Sequence, residues 1–242
     1  TPSVESTGAY LDSDADDEQF WTYAELYRLT GESKYLELAK GHMKKSWFPS
    51  IGWSNPFALG VYALLKTEST PSDVRQTLLS LVEREAKGIV TKSDLNGYRA
   101  ALYFSEYNWA SNKTALAYGL NLLIAYEFFP EKVYVEVARK QIDYIFGVNV
   151  LSKCFVTGIG DDPVKYPHHR IVMGSKVMVP GLMMGGPNSN AEDGKYPKDL
   201  GPKGYVDRWD AYSCNEYAID YNAPLVYLAG YFMAMENKDL LK

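Results

Sequence analysis

Apolar residues recur along this chain at spacings of three and four, in blocks separated by polar or glycine-containing turns. Over 18–30, Phe20, Ala24 and Tyr27 keep helical spacing, joined with small drift by Trp21 and Leu29. The Asp-rich stretch from Asp12 to Asp17 offers N-cap groups and negative charge at the helix's positive end, and Gly31 follows as a stop. A second helix is predicted over about 33–45, opening at Ser33 with Glu37 in its first turns and ending in Lys44-Lys45. A third runs from Pro56 to about Thr67, and a fourth from Ser72-Asp73 to Gly88. Residues 89–108 are less regular. A fifth helix covers about 110–128 on Leu116, Leu120 and Leu123 with Ala117 and Ile124, and Pro130 breaks it. A sixth covers about 131–146, up to Gly147. The segment 147–213 is rich in Gly and Pro, with Val177-Met178-Val179 as a short strand. A seventh helix starts near Asn215 and runs through Leu225, Leu228 and Phe232 despite Pro224.

Helix, short turn, helix, repeated, reads as an all-α array of hairpins. No period of 34 or 40 residues recurs, which argues against a solenoid. An irregular segment as long as 147–213 is usually functional, and it holds two of the three histidines. The length of 242 residues suits one or two domains, and 46% hydrophobic with 23% charged residues excludes disorder as the main state. No apolar run of about 18 residues is present, so no membrane span is predicted. The start, Thr-Pro-Ser-Val-Glu-Ser, carries no visible signal peptide. A net charge of −5 without a basic block excludes a nucleic-acid partner. The 20 Tyr, 9 Phe and 5 Trp fit either a surface that stacks on sugar rings or a Tyr-rich core. Cys154 and Cys214 match no zinc or redox spacing.

Two segments carry candidate chemistry. In Gly158-Ile159-Gly160-Asp161-Asp162-Pro163, Gly and Pro fix an irregular backbone, and Tyr166-Pro167-His168-His169-Arg170 follows. Adjacent histidines on extended backbone point to opposite sides, so they form no obvious metal pair. Between Tyr205 and Pro224, three carboxylates, Asp207, Asp210 and Glu216, lie within ten residues among aromatics. A Glu at a helix start, beside other carboxylates and partly buried, can hold its proton to a pH useful for a general acid. The plain alternative is an acidic cluster that only complements the helix dipole.

This second segment resembles the C-terminal signature of glycoside hydrolase family 9, the inverting cellulases. Tyr205, Asp207, Tyr212, Glu216, Ala218, Asn222 and Ala223 occupy its constrained positions. The histidine segment is similar to the family's other signature at Val156, Thr157, Gly160, Pro167, His168 and Arg170, with Asp162 and Cys154 departing from it. Trp109-Ala110-Ser111-Asn112 resembles the family's Trp-Gly-Ser-Asn turn. Gly8-Ala9-Tyr10 through Asp17-Glu18 and Trp21-Thr22-Tyr23-Ala24-Glu25-Leu26 is similar to its mid-domain helix. Val179-Pro180-Gly181 with Gly185-Gly186-Pro187-Asn188 resembles the subgroup with an N-terminal immunoglobulin-like module.

The resemblance implies an (α/α)6 toroid, of which residues 1–242, with about seven helices, form roughly the C-terminal half. It implies hydrolysis of internal β-1,4-glucosidic bonds in cellulose or a related β-glucan, with inversion. Glu216 would be the general acid, Asp207 a second active-site acid that tunes or orients, and His168 and Arg170 the holders of the adjacent glucosyl unit. Trp109, Tyr10 and Tyr212 would line the substrate cleft. The family's catalytic base lies in an early Asp-Ala-Gly-Asp motif that this chain lacks, so the partner expected is an N-terminal half of the same domain. This half alone is expected not to turn over substrate. The resemblance further implies a structural Ca²⁺ held by Ser13 and Asp14 through backbone oxygen and by Asp17, Glu18 and Asn55 near Trp53, with a solvated acidic cap as the alternative. Secretion follows from the substrate class. The same scaffold acting on xyloglucan, mixed-linkage glucan or chitosan-type oligomers stays open, as does a non-catalytic sugar-binding fragment.

Overall fold

The helical periodicity resolves into helices in the predicted order, with differences at their ends. A computed structural model describes residues 12, 14–43 and 48–237. These residues are mostly helical, as an all-α chain requires, with one two-stranded sheet. Among them no helix is long and apolar enough to cross a membrane. Tyr10 and Ser13, named above, lie outside the described residues, as do Lys44 and Lys45. The chain divides into two units, Thr1–Leu81 and Val82–Lys242.

In the first unit, α1 (Asp16–Thr30) packs against both α2 (Ser33–His42) and α3 (Phe57–Leu65). Asp16, Asp17 and Glu18 sit in the first turn of α1, where the helix dipole favours negative charge. Gly31 ends the helix with φ 73°, and its N–H returns to the Tyr27 carbonyl. The packed faces bury Phe20, Ala24 and Tyr27 of α1, Leu36 and Ala39 of α2, and Phe57, Val61 and Leu65 of α3. The rings of Phe20 and Phe57 stack with centroids 4.6 Å apart. They can approach because residue 60 is glycine: a Cβ there would lie 2.6 Å from Phe20 Cδ1.

The division between the units falls inside α4 (Ser72–Asp94), which runs past Gly88, its predicted end. An exposed glycine weakens a helix by only about 1 kcal/mol relative to Ala. The turn beyond it has strong anchors: Ile89 and Ser93 are fully buried, and Lys92 Nζ donates to Glu106 Oε1 at 2.8 Å.

In the second unit, α5 (Ser111–Phe128) packs against α6 (Lys132–Ile145) and α9 (Ile219–Glu236), and α6 also touches α9 and β1 (Cys154–Thr157). Leu116, Leu122, Ile145 and Leu228 are wholly buried here. The outer side of α9 leaves Val226, Tyr227, Met233 and Met235 exposed. The irregular stretch before α5 is held by one buried amide. Gln141 Oε1 accepts from the Ala101 N–H at 2.8 Å, and Gln141 Nε2 donates to the Arg99 carbonyl at 3.1 Å.

Three expectations need correction. Val177–Val179 is not a strand: Val177 is exposed, and the Val179 carbonyl accepts from Thr157 Oγ1 at 2.6 Å instead of joining a ladder. The sheet is made by β1 and β2 (Pro163–Val164), which pair in parallel. All four residues of β1 are buried, so β1 shows no alternation by which to recognise it. Residues 170–175 form a short helix, α7 (Arg170–Ser175), inside the segment read as irregular. The last helix is two pieces, α8 (Tyr212–Asn215) and α9, separated at Glu216, whose backbone is extended (φ −95°, ψ 152°). Nine α-helices are thus described where about seven were expected.

A Gly60→Ala substitution forces its methyl into Phe20. We expect it to lower stability by roughly 1–3 kcal/mol, read as a lower midpoint in urea denaturation.

Candidate active site

The break at Glu216 follows from the strip of backbone beside it. Gly185 N–H donates to the Glu216 carbonyl at 2.7 Å, Gly186 N–H to the Cys214 carbonyl at 2.9 Å, and Met184 bridges Tyr217. The same strip holds the Trp109 turn from its other side. Asn112 N–H donates to the Gly185 carbonyl at 2.9 Å, Asn112 Nδ2 to Met184 O at 3.1 Å, and Ser111 Oγ to Pro187 O at 2.6 Å. Gly186, at φ 87°, is pressed so close to Asn112 that a Cβ would lie 2.2 Å from its amide. Gly186 therefore lets one backbone segment join the turn of Trp109 to the turn of Glu216. Ala110 caps α5 in the left-handed region (φ 65°), a conformation that glycine adopts without strain.

Around this frame the structure gathers four of the predicted residues. Tyr212 stands between Trp109 and His168, with ring centroids 6.0 Å and 5.9 Å away. Trp109 and Tyr212 are both exposed enough to offer a face. His168 Nδ1 lies 2.6 Å from the Trp209 carbonyl. Since a carbonyl only accepts, the proton is on Nδ1, and in the neutral ring Nε2 is left as an acceptor. Glu216 is half-buried beside this row. Burial pushes its carboxyl above the ordinary Glu value, while the charge of His168 opposes that shift.

Asp207 has a different environment. Its Oδ2 accepts from Lys165 N–H at 2.8 Å and lies 3.1 Å from Lys153 Nζ; its Oδ1 accepts from Tyr166 N–H at 2.9 Å and Asn215 Nδ2 at 3.3 Å. With both oxygens committed, Asp207 braces the backbone that leads to His168. Arg170 opens α7 with an exposed side chain, and among the described residues its guanidinium makes no hydrogen bond or ion pair.

Sequence reasoning passed over three contributors. Tyr221 accepts from Trp109 Nε1–H at 3.0 Å and fixes the indole. Asn215, wholly buried, donates through Nδ2 to the Tyr166 carbonyl at 2.6 Å and through its own carbonyl receives the His168 N–H at 2.8 Å. Lys153, also buried, reaches Asp207 and Asp162. None of the three leaves a trace in local spacing: Tyr221 lies on α9 beyond the extended break at Glu216, and a lone Lys or Asn carries no pattern. Cys154 and Cys214 are buried free thiols near these elements, and burial drives the Cys214 thiol up to about 12.

In the first unit, the Asp14 carboxylate accepts from Asp16 N–H at 3.0 Å, and Asp16 meets His42 Nδ1 at 2.8 Å. Asp17 is buried. Glu18 Oε2 is buried without a hydrogen-bond partner among the described residues, and burial, joined by the neighbouring charge of Asp17, raises its carboxyl above the ordinary value. Asn55 is held through backbone bonds to Gly52. Among the described residues no group of three or more His, Cys, Asp or Glu side chains gathers as a metal site.

Comparison with known proteins gives a consistent result. The profile of Glycosyl hydrolase family 9 matches residues 1–229. The chain is 35% identical over 236 residues to a xyloglucan-specific endo-beta-1,4-glucanase of Bacteroides ovatus, covering 93% of this chain and 40% of that protein. It is 34% identical over 236 residues to endoglucanase D of Acetivibrio thermocellus, covering 93% of this chain and 36% of that one. Among solved structures, a metagenome-derived family 9 endoglucanase superposes with a TM-score of 0.90 at 37% identity, covering 93% of this chain and 42% of that one. The chain thus spans less than half the length of these relatives.

Because the folded state holds a proton on Glu216 at pH values where the unfolded chain has released it, Glu216 makes stability fall with rising pH. The fall begins near the ordinary carboxyl value and ends above the raised one. In Glu216→Gln that part of the slope should vanish, which denaturant titrations from pH 4 to 8 would read.

Proposed function

The chain belongs to glycosyl hydrolase family 9, and from that premise we propose that it supplies the acid side of an active site that cuts internal β-1,4 bonds of a β-glucan with inversion. Glu216 gives its proton to the glycosidic oxygen as the bond to the departing sugar breaks. The water that attacks the opposite face is deprotonated by a base from an upstream segment of the same domain. An inverting pair needs its carboxyls about 6.5–9.5 Å apart, leaving room for that water. His168 accepts a sugar hydroxyl at Nε2, Arg170 offers donors to the same unit, and Trp109 and Tyr212 stack on ring faces. The observation that carries this reading is Glu216: a carboxyl whose proton affinity burial raises, beside an imidazole and two exposed aromatic rings. A second reading, xyloglucan as the polymer, is favoured by the Bacteroides ovatus relative, which is specific for it. A β-glucan polymer is too large to cross a membrane, so either reading has the enzyme acting outside the cell.

The proposal includes a structural Ca²⁺ in the first unit. Asp14 through its backbone oxygen, Asp17 and Glu18 through their carboxylates and Asn55 through its amide carbonyl would supply the oxygen donors that a hard cation prefers, and Glu18 Oε2 is the atom that such an ion would satisfy.

Two outcomes test these readings. In a catalytic domain containing this chain, Glu216→Gln should lower kcat by on the order of 10²–10⁴-fold while oligosaccharide affinity changes little. Wild-type turnover in that variant would remove the acid assignment. Chelation should lower Tm by several degrees, since an ion at 100 times its Kd contributes about 2.7 kcal/mol, and Glu18→Gln should abolish that sensitivity.

A further inference from the structure

Lys153 is a lysine buried to 8% relative exposure, and its ammonium is engaged on three sides. Nζ donates to Asp162 Oδ2 at 3.3 Å and to the Pro163 carbonyl at 3.0 Å, and it pairs with Asp207 Oδ2 at 3.1 Å. Those acceptors come from the two segments that carry the candidate chemistry. Asp162 and Pro163 precede the histidine turn, and Asp207 precedes the turn of Glu216.

We propose that Lys153 is a positioning residue for the reaction: acting through Asp207, it sets the register of the His168 segment against the Glu216 turn. The inference rests on the reading of Glu216 and His168 given above. It follows the bonds outward from the ammonium. Asp207, held beside Lys153, accepts the N–H groups of Lys165 and Tyr166, and so fixes the two residues before Pro167-His168. The same carboxylate receives Asn215 Nδ2, and Asn215 in turn bonds the Tyr166 carbonyl and the His168 N–H. Glu216 is the next residue. Two carboxylates around one ammonium do not stay put without it: their repulsion, or a proton taken up by one of them, removes an acceptor on which the turn depends. Burial works against the charged form of Asp162, yet Lys165 and Lys153 outweigh it and hold the carboxyl below the ordinary Asp value. The other titratable groups near this cluster are Cys154, Tyr205, Cys214 and Lys165. Burial raises the Cys154 and Cys214 thiols and the Tyr205 phenol, and Lys165 pairs with Asp162 Oδ1 at 3.2 Å.

The test compares wild type, Lys153→Met, Lys153→Met/Asp162→Asn and Glu216→Gln in a catalytic domain containing this chain. Hydrolysis of a soluble cello-oligosaccharide is followed from pH 5 to 8, well below the Tm of each variant. Relative to wild type at each pH, Lys153→Met should lose at least about tenfold in kcat with KM changed less than about threefold. Removing the charge of Asp162 as well should return at least about threefold of the lost kcat. A brace that only stabilises the fold would lower Tm and leave kcat intact. Lys153→Gln, which keeps two N–H donors and loses the charge, replaces Lys153→Met if the latter does not fold. Wild-type kcat in the single variant, or a loss that Asp162→Asn does not relieve, overturns the proposal while Glu216→Gln still kills turnover. Full turnover in Glu216→Gln would overturn the active-site reading, and the role of Lys153 with it.

Discussion

The arrangement depends on a single carboxylate that gathers donors from three stretches of chain. Asp207 accepts two backbone N–H groups and an amide N–H and pairs with a buried ammonium. Those bonds set the path of the chain through Tyr166 and Pro167 to His168, whose tautomer the Trp209 carbonyl fixes.

Nine residues later the chain does the opposite. Among the described residues Glu216 has no cation at bonding distance, and burial governs it against an opposing influence from His168. One short segment thus holds one carboxylate in a web of donors and another whose pKa burial raises, and environment alone separates them. The glycine strip at 185–186 makes the separation workable. It brings the Trp109 turn and the Glu216 turn to two edges of one backbone segment, with no side chain between them.

Most of the helices were legible because burying one face imposes a period that polar residues cannot mimic. Phe20, Ala24 and Tyr27 were read as one face and are buried together. Gly88 misled because a helix end is decided by what lies beyond it: Ile89 and Ser93 are buried, and Ser93 Oγ donates to the Arg99 carbonyl past the end of the helix. Strand β1 was missed because a wholly buried strand has no alternation. The split at Glu216 was invisible for a similar reason: the carbonyls of Cys214 and Glu216 are claimed by glycine N–H groups thirty residues upstream. At the site, motif residues such as Glu216, His168 and Trp109 were legible by type and spacing. Asn215 and Lys153 act through contacts that only the folded chain creates, and their identities carry no local signal.

The two free cysteines have a consequence of their own. Cys154 lies on β1, under the Asp162 turn, and Cys214 lies on α8, two residues before Glu216; neither sulfur meets solvent, and burial keeps both thiols in the unreactive form. Alkylating reagents and oxidants therefore reach them only when the loops around the His168 and Glu216 turns open. The rate at which this protein consumes a thiol reagent is a clock for the breathing of the loops that carry His168 and Glu216, built into the chain without any added label.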